Sequence, residues 1–505
     1  MAEPIPTERL NKLKRLEAAG VDPYPKRYPA RSQTGETGQT GQTAKSAETL
    51  DAIAEIRRRI SDVEEVPAIV AGRVLSFRNF GKVCFFDLKD ESGRIQILMQ
   101  RDRMDEERYK LLRKTIDLND WLGVKGGLSR TEKGELTIFA DEVTLLSKSL
   151  RSPPEKWHGL QDQETRYRKR HVDLNVNPEV MATFRLRSRV IAEIRRFLDG
   201  KGFLEVETPV LHRIAGGAAA RPFLTHHNAL DLRLNLRIAL ELHLKRLLVG
   251  GMERVYEIGR VFRNEGIDAS HNPEFTMLEL YWSFADYEDI MDLWEALLVH
   301  LAITIKDTTN ITWQGTEISL EPPFRRVRYE DLLRELAGVE LDDEAAVRRR
   351  CDEAGLDHRG KSHHKAANDL FEEFCEGALT QPTFVTDYPR GITTLAKWVD
   401  KGGDRAERFE LFINGFELAN AFSEMNDAIE QRRILENQLK EKDPENPGEL
   451  DEDFLSALEY GMPPAGGVGM GIDRLIMLLA DCSNIRDVVL FPLLRPKADG
   501  DGPEA

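Results

Sequence analysis

RVFRNEG (Arg260–Gly266), followed closely by HNPEFTMLELY (His271–Tyr281), is the stretch on which the fold turns. Two arginines, two asparagines and three glutamates are interleaved there with valine, phenylalanine, methionine and leucine. Side chains alternate along a strand, so Glu257, Gly259, Val261, Arg263 and Glu265 share one face. Phe275, Met277, Glu279 and Tyr281 share a face of the next strand. If the two pair about a turn over 266–272, Arg263, Glu265, Phe275, Glu279 and Tyr281 converge on one surface. A guanidinium, two carboxylates, a ring and a phenol suit a ligand that is anionic at one end and cationic at the other. The same pattern also fits an exposed, salt-bridged hairpin, and the stretch alone leaves both open.

Two further stretches extend the pattern. In ELFINGFELANAFSEMN (Glu410–Asn426), Asn414-Gly415 is a two-residue hairpin signal. Asn420, Phe422 and Glu424 then share a face, whereas Glu417 falls out of parity and joins them only through a β-bulge. Glu410 and Glu417 flank the turn and offer hard oxygen ligands of the kind Mg²⁺ takes beside phosphates; a cross-strand carboxylate pair relieved by a basic neighbour is the plainer alternative. GGVGMGIDR (Gly466–Arg474) lacks the Lys-Ser/Thr of a P-loop and the βαβ context of a dinucleotide site. It reads as a glycine-rich loop that lets backbone approach a flat ligand, with Arg474 opening the helix DRLIMLLAD. His226-His227 and His363-His364 have no metal-ligand spacing, and no nucleophilic triad stands out.

The 505 residues suffice for two or three domains. A net charge of −16 argues against broad affinity for polyanions but leaves room for a local nucleic-acid site. Cys84, Cys351, Cys375 and Cys482 form no C-x-x-C pair, which suggests a reducing compartment. The first residues contain no apolar signal-peptide core, and no apolar run reaches the roughly 20 residues of a membrane span. A cytoplasmic protein without a membrane association is expected.

Along the chain, 1–65 reads as a short helix over 7–19 and a linker that includes the low-complexity SQTGETGQTGQT (Ser32–Thr43). The segment 66–147 contains five short β-rich runs, with a helical LLRKTI between the third and fourth, the pattern of an OB-type barrel. Its fourteen basic and thirteen acidic residues over 66–146 make it far less acidic than the whole. A Pro- and charge-rich linker is expected over 148–176. The remainder, 177–500, reads as an α+β domain built on a mainly antiparallel sheet flanked by helices.

The ordered set of a long helix ending near a strand at Pro209, then Phe262-Arg-Asn-Glu265, then Gly469-Met-Gly-Ile-Asp-Arg474, resembles the three motifs of class II aminoacyl-tRNA synthetases. GGAAARPFLTHHNALD, FRNEGIDASHNPEFTMLELYW, ELANAFSEMND and GIDRLIMLLADCSNIRDVVLFPLLRP are similar to the bacterial lysyl-tRNA synthetase family, and the similarity runs from about Leu50 to Pro496. The resemblance implies ATP-dependent activation of L-lysine to lysyl-adenylate and transfer to tRNA(Lys), with Mg²⁺ as cofactor and a homodimer formed through the motif 1 helix around Phe184–Leu198. It implies that Arg263 bridges the lysine carboxylate and the α-phosphate. Glu265, His271, Phe275 and Arg474 join it at ATP, and Glu410 with Glu417 holds the metal. Gly217 and Glu241 are implied for the α-amino group. Glu279, Tyr281 and Glu424 are implied for the ε-ammonium, with Asn420 and Phe422 lining the pocket. In the barrel, Arg78, Phe85, Gln96 and Glu135 are implied for the anticodon. Leu240, His243, Phe416 and the run Arg390-Gly-Ile-Thr-Thr depart from the usual pattern without removing a charged group.

Two other readings share these features. An aspartyl- or asparaginyl-tRNA synthetase has both domains, but its pocket takes a short acidic or amide side chain, which Glu279 with Glu424 opposes. A synthetase-like tRNA-binding protein without catalysis is expected to lack Arg263, Arg474 or the Glu410/Glu417 pair.

Overall fold

The computed structural model describes residues 4–28, 50–59, 65–152, 160–400, 402–440 and 449–496. The low-complexity Ser32–Thr43 expected as a linker lies outside them. The chain divides into two units, 1–159 and 160–505.

In the first unit, β1 (Val66–Asn79), β2 (Val83–Lys89), β3 (Arg94–Gln100), β4 (Trp121–Arg130) and β5 (Leu136–Ser147) close into a barrel in the order β1-β2-β3-β5-β4. Alternation drives the closure. Val70, Val74, Phe86, Leu88, Ile97, Val124, Ile138 and Leu145 are turned inward and fully buried. Helix α2 (Glu106–Thr115) links β3 to β4, as an OB-fold requires. Its N-cap Asp105 accepts the Arg108 amide. Helix α1 (Thr7–Ala18) packs on this unit through Leu16, and Arg9 donates to the Leu118 and Ser149 carbonyls.

The second unit is built on an eight-stranded sheet. Its strands are β6 (Leu204–Glu205), β7 (Arg254–Phe262), β8 (Glu274–Ser283), β9 (Arg325–Arg328), β10 (Thr383–Pro389), β11 (Arg405–Ile413), β12 (Phe416–Ser423) and β13 (Ala465–Gly471). Their order is β9-β10-β11-β12-β13-β8-β7-β6. Only the outer pairs β9–β10 and β6–β7 are parallel; the five inner pairings are antiparallel. One face packs against α3 (Pro178–Gly200), α5 (Tyr287–Leu301) and α7 (Ile472–Ala480), burying Val190, Trp294, Leu411, Val468 and Ile476. The other face carries α4 (Glu241–Val249) and α6 (His363–Phe374) toward its two ends and is left open between them.

Two local features differ from the sequence reading. The glycine-rich stretch is not a loop but the central strand β13, paired on both sides by β8 and β12. Glycine is normally depleted in strands, so propensity points the wrong way. Val468 and Met470 enter the core, while Gly467, Gly469 and Gly471 face the open side. Within 148–176, moreover, two short helices (Gln163–Arg168 and Arg170–Val176) belong to the second unit. Arg170 is fully buried there, paired with Asp173 at 2.7 Å and donating to the Leu490 and Arg486 carbonyls.

Candidate active site

A cavity of about 700 Å³ opens on the exposed face of the central strands. The hairpin of β7 and β8 builds its first wall. Phe262 pairs with Glu274 and Glu257 with Glu279, so the strands join as the alternation predicts, with β7 ending one residue before Arg263. Phe275, Met277, Glu279 and Tyr281 all face the cavity, and Arg263, Glu265 and His271 reach it from the connecting loop. Gly259 is required beneath them: a Cβ there would stand 2.2 Å from the Arg237 guanidinium, which is buried in an ion pair with Glu257.

Arg263 is the most conspicuous group. Among the described residues its guanidinium has one hydrogen bond, Nε to the Ile238 carbonyl at 3.3 Å, and no ion pair within 4 Å. It lies over the Phe275 ring at 5.3 Å. Burial draws its pKa below the usual guanidinium range, though an arginine stays charged in proteins. A half-buried fork without a carboxylate among the described residues is a binding site for an anion.

The hairpin of β11 and β12 builds the second wall. Asn414 (φ 52°) and Gly415 (φ 70°) are both left-handed, as a type I′ turn demands. Register then slips by one residue: Leu411 faces Ala419 but Phe412 faces Glu417. Leu418 is the extra residue of a β-bulge, and it returns Glu417 to the face shared by Asn420 and Phe422. Glu417 lines the cavity and receives Arg474 Nη1 at 3.1 Å, while Arg474 Nη2 lies 3.2 Å from His271 Nε2. Glu410 sits behind this wall. It accepts the Tyr388 hydroxyl at 2.8 Å, pairs with Arg408, and accepts Asn420 Nδ2 at 3.3 Å.

At the far end the charges are most concentrated. Glu279 is buried, accepting the Leu240 amide at 2.8 Å and the Tyr281 hydroxyl at 3.0 Å. Burial and the nearby Glu241 push its pKa up to about 7. Glu424 is fully buried; burial, Glu241 and Glu279 outweigh the favourable Lys245 and raise its pKa to about 8. Glu241 opens α4 beside Gly217, whose φ of +84° and close neighbours Ala239 and Glu241 suit only glycine. Phe422 completes the lining, whereas Glu424 lies just behind it.

Gly467 controls this end. A Cβ there would lie 2.1 Å from Glu424 Oε1 and 2.5 Å from the Tyr281 ring. Gly467→Ala is therefore expected to displace both. Stability should fall by about 1–3 kcal/mol through overpacking, with a selective loss of affinity for whatever binds there and unchanged affinity at the Arg474 end. Thermal unfolding and ligand-specific KM values measure the two effects separately.

Three structural residues escaped the sequence reading. Asp473 receives Arg187 of α3 at 2.5 Å and the Thr276 amide at 2.6 Å, locking α7 and β8 together beside Arg474. Lys245 pairs with both Glu241 and Glu424. On the barrel, Phe80 is 66% exposed and packs edge-on against Phe85 at 6.2 Å. Arg78 is the Cα partner of Phe85 and lies over its ring at 5.8 Å. Gln96 accepts the Thr137 hydroxyl at 2.9 Å and with Glu135 lines a small surface cavity of about 220 Å³. The barrel thus presents one aromatic patch and one polar one.

Among the described residues no group of three or more His, Cys, Asp or Glu side chains is arranged to hold a metal, and no helix is long and apolar enough to cross a membrane. An ion at Glu410 and Glu417 needs further ligands from a substrate.

Comparison with known proteins agrees with this arrangement. Residues 162–495 match the family described as tRNA synthetases class II (D, K and N), and residues 68–146 match the OB-fold nucleic acid binding domain. The lysine–tRNA ligase of Moorella thermoacetica is 49% identical over 497 residues, covering 97% of this chain and 98% of that protein. That of Carboxydothermus hydrogenoformans is 49% identical over 97% of each chain. The ligase of Nostoc punctiforme is 47% identical over 98% of this chain and 88% of its own length. With a family model matching 162–495 and lysine–tRNA ligases aligned almost end to end, the chain belongs to the class II tRNA synthetases of the D, K and N kind, and within them to the lysine–tRNA ligases.

Proposed function

We propose that this chain activates L-lysine with ATP, in the presence of Mg²⁺, and transfers it to tRNA(Lys) in the cytoplasm. The observation that carries the reading is the polarity of one cavity: an unpaired guanidinium at Arg263 with Arg474 at one end, and Glu241, Glu279 and Glu424 at the other. Lysine beside the phosphates of ATP has that polarity, two ammonium groups and an anionic centre. A short acidic or amide side chain, as in the aspartate and asparagine enzymes, leaves the carboxylates unpaired.

Arg263 holds the lysine carboxylate against the α-phosphate, so that carboxylate oxygen and phosphorus meet in line and pyrophosphate leaves. Its charge neutralises the negative charge that builds up on the phosphoryl oxygens. Phe275 supplies a ring face for adenine with Arg474 opposite, and Glu265 and His271 flank the nucleotide. Gly217 leaves room beside Glu241 for the α-ammonium. Glu279, Tyr281 and Glu424 receive the ε-ammonium between Asn420 and Phe422. No covalent enzyme intermediate is needed, in keeping with the absence of an activated nucleophile in the described cavity. Two carboxylates, with phosphate oxygens and water, are the donor set a magnesium ion accepts. Glu410 and Glu417 would hold it, and it would supply charge neutralisation at the phosphates.

Phe85 and Phe80 offer stacking faces to anticodon bases, and Arg78, Gln96 and Glu135 offer hydrogen bonds. The division into 1–65, 66–147, 148–176 and 177–500 assigns those roles to the barrel and the sheet. A homodimer through α3 is part of this reading; Leu204, in the strand beside α3, is 54% exposed, and the apolar Leu211, Leu224 and Leu230 are also about half or more exposed.

ATP–pyrophosphate exchange across the twenty amino acids tests the reading. Exchange is expected with lysine alone and only with Mg²⁺. Exchange with aspartate or asparagine in place of lysine overturns the pocket assignment, and no exchange with any amino acid favours a non-catalytic tRNA-binding protein.

A further inference from the structure

The amino-acid end of the cavity contains a cation of its own. Lys245 lies one turn after Glu241 on α4, with its side chain fully buried. Its ammonium pairs with Glu241 and, at 2.5 Å, with Glu424 Oε2, and stands 6.0 Å from the centre of the Tyr281 ring. It does not line the cavity; it sits behind it, where Leu240, Leu244 and Leu248 of the same region join a hydrophobic cluster. Glu424 is thus held by Lys245 alone among the described side chains within ion-pair distance. Burying a charged pair is costly, and a lysine at this place has no access to substrate phosphates.

We propose that Lys245 is a resident counter-ion that sets the charge of the pocket: it offsets one of the three carboxylates Glu241, Glu279 and Glu424, leaving two for the two ammonium groups of the substrate. Arg263 stands outside this count, since it answers the substrate carboxylate and phosphate. Without Lys245, three carboxylates confront two ammoniums, and one must retain a proton. With it, a single ammonium leaves one carboxylate buried and uncompensated, so the pocket selects a diammonium ligand. Lys245 is therefore a positioning and specificity-determining residue. Burial opposes its charge, but Glu241 and Glu424 more than offset this and keep it protonated. The titratable groups around it are Glu241 on α4, Glu279 and Tyr281 on β8, and Glu424 after β12.

The inference rests on the lysine reading above, and the test separates the two. Lysine-dependent exchange by the unaltered protein establishes the reading; its absence sinks that reading without involving Lys245. The variants Lys245→Met, Glu424→Gln and Lys245→Met/Glu424→Gln are then compared by exchange and by calorimetry of lysine binding between pH 6 and 9. Lys245→Met should raise the KM for lysine about 100-fold at pH 7 with the KM for ATP within about twofold, and move the midpoint of lysine binding up by about one pH unit. The double variant, with two carboxylates for two ammoniums, should bind lysine at least about tenfold better than the product of the two single effects. Additive losses, or an unmoved pH midpoint in Lys245→Met, overturn the counter-ion role. If Lys245→Met does not fold, the double variant removes both members of the buried pair, and its pH midpoint against Glu424→Gln alone decides the matter.

Discussion

Arg263→Ala is expected to reduce lysine-dependent ATP–pyrophosphate exchange by on the order of 10³-fold or more while leaving the protein at least as stable as before. The size follows from the role: a charge clamp on a transferring phosphoryl group contributes about 10³–10⁵ in rate where an arginine supplies it. The stability expectation follows from the surroundings of its guanidinium. Arg263 lies half-buried with, among the described residues, one hydrogen bond at 3.3 Å and no ion pair within 4 Å, so its desolvation is poorly compensated within the protein. Removing it relieves that cost, the familiar opposition between a site's function and its fold. Exchange kinetics and thermal unfolding on the same preparation measure both. A large loss of stability parallel to the loss of activity sinks the assignment, because it makes Arg263 a structural residue.

Glu279→Gln is expected to lower kcat/KM for lysine by about 10²–10³-fold and to flatten its pH dependence. The glutamine oxygen can still accept from the Leu240 amide, 2.8 Å from one carboxylate oxygen, and its NH2 can donate to the Tyr281 hydroxyl oxygen, 3.0 Å from the other, so the pocket keeps its shape. The charge is what is lost. In the unaltered protein the pKa of Glu279 is raised to about 7 and that of Glu424 to about 8. An incoming ammonium needs these groups ionised, so binding releases their protons and weakens as pH falls through 8 and then 7. The expected slope is about tenfold per unit where one carboxyl is protonated, and steeper below 7. The variant should lose the lower of the two breaks. Folding has the same origin with its own sign: a carboxyl raised in the folded state binds more protons than in the unfolded chain between about 4.5 and 7. Its contribution to stability declines across that window, and Glu279→Gln should be the more stable form above pH 7 without ligand. An unchanged pH profile in the variant contradicts the pairing with lysine.

Much of this site was legible because it is written in strand parity. Alternation across Glu257–Glu265 and Phe275–Tyr281 located the first wall, Asn414-Gly415 fixed the second hairpin, and the misfit of Glu417 required the bulge found at Leu418. What escaped did so for physical reasons. Gly466–Gly471 carries no side chains to alternate on the open face, so a central strand looks like a loop until its partners β8 and β12 are known. Lys245, four residues after Glu241, has the spacing of an ordinary surface ion pair; only the fold says that this face of α4 is buried. Arg170 hides in the same way, in a charged segment that reads as linker but docks on 486–490. Phe80 is silent because a lone exposed aromatic carries no periodicity.

The extra residue at Leu418 has a consequence for how such an enzyme diversifies. On one side of it the hairpin holds Glu417 and the turn; on the other it holds Asn420, Phe422 and the approach to Glu424. Each side keeps its own alternation, so the segment proposed to meet phosphates and the segment proposed to recognise the amino acid sit in separate registers of one ribbon. A change of substrate can be accommodated downstream of the bulge while the nucleotide chemistry upstream stays in register. Were Leu418 instead paired in the ladder without a bulge, Glu417 would turn to the core face and leave the cavity.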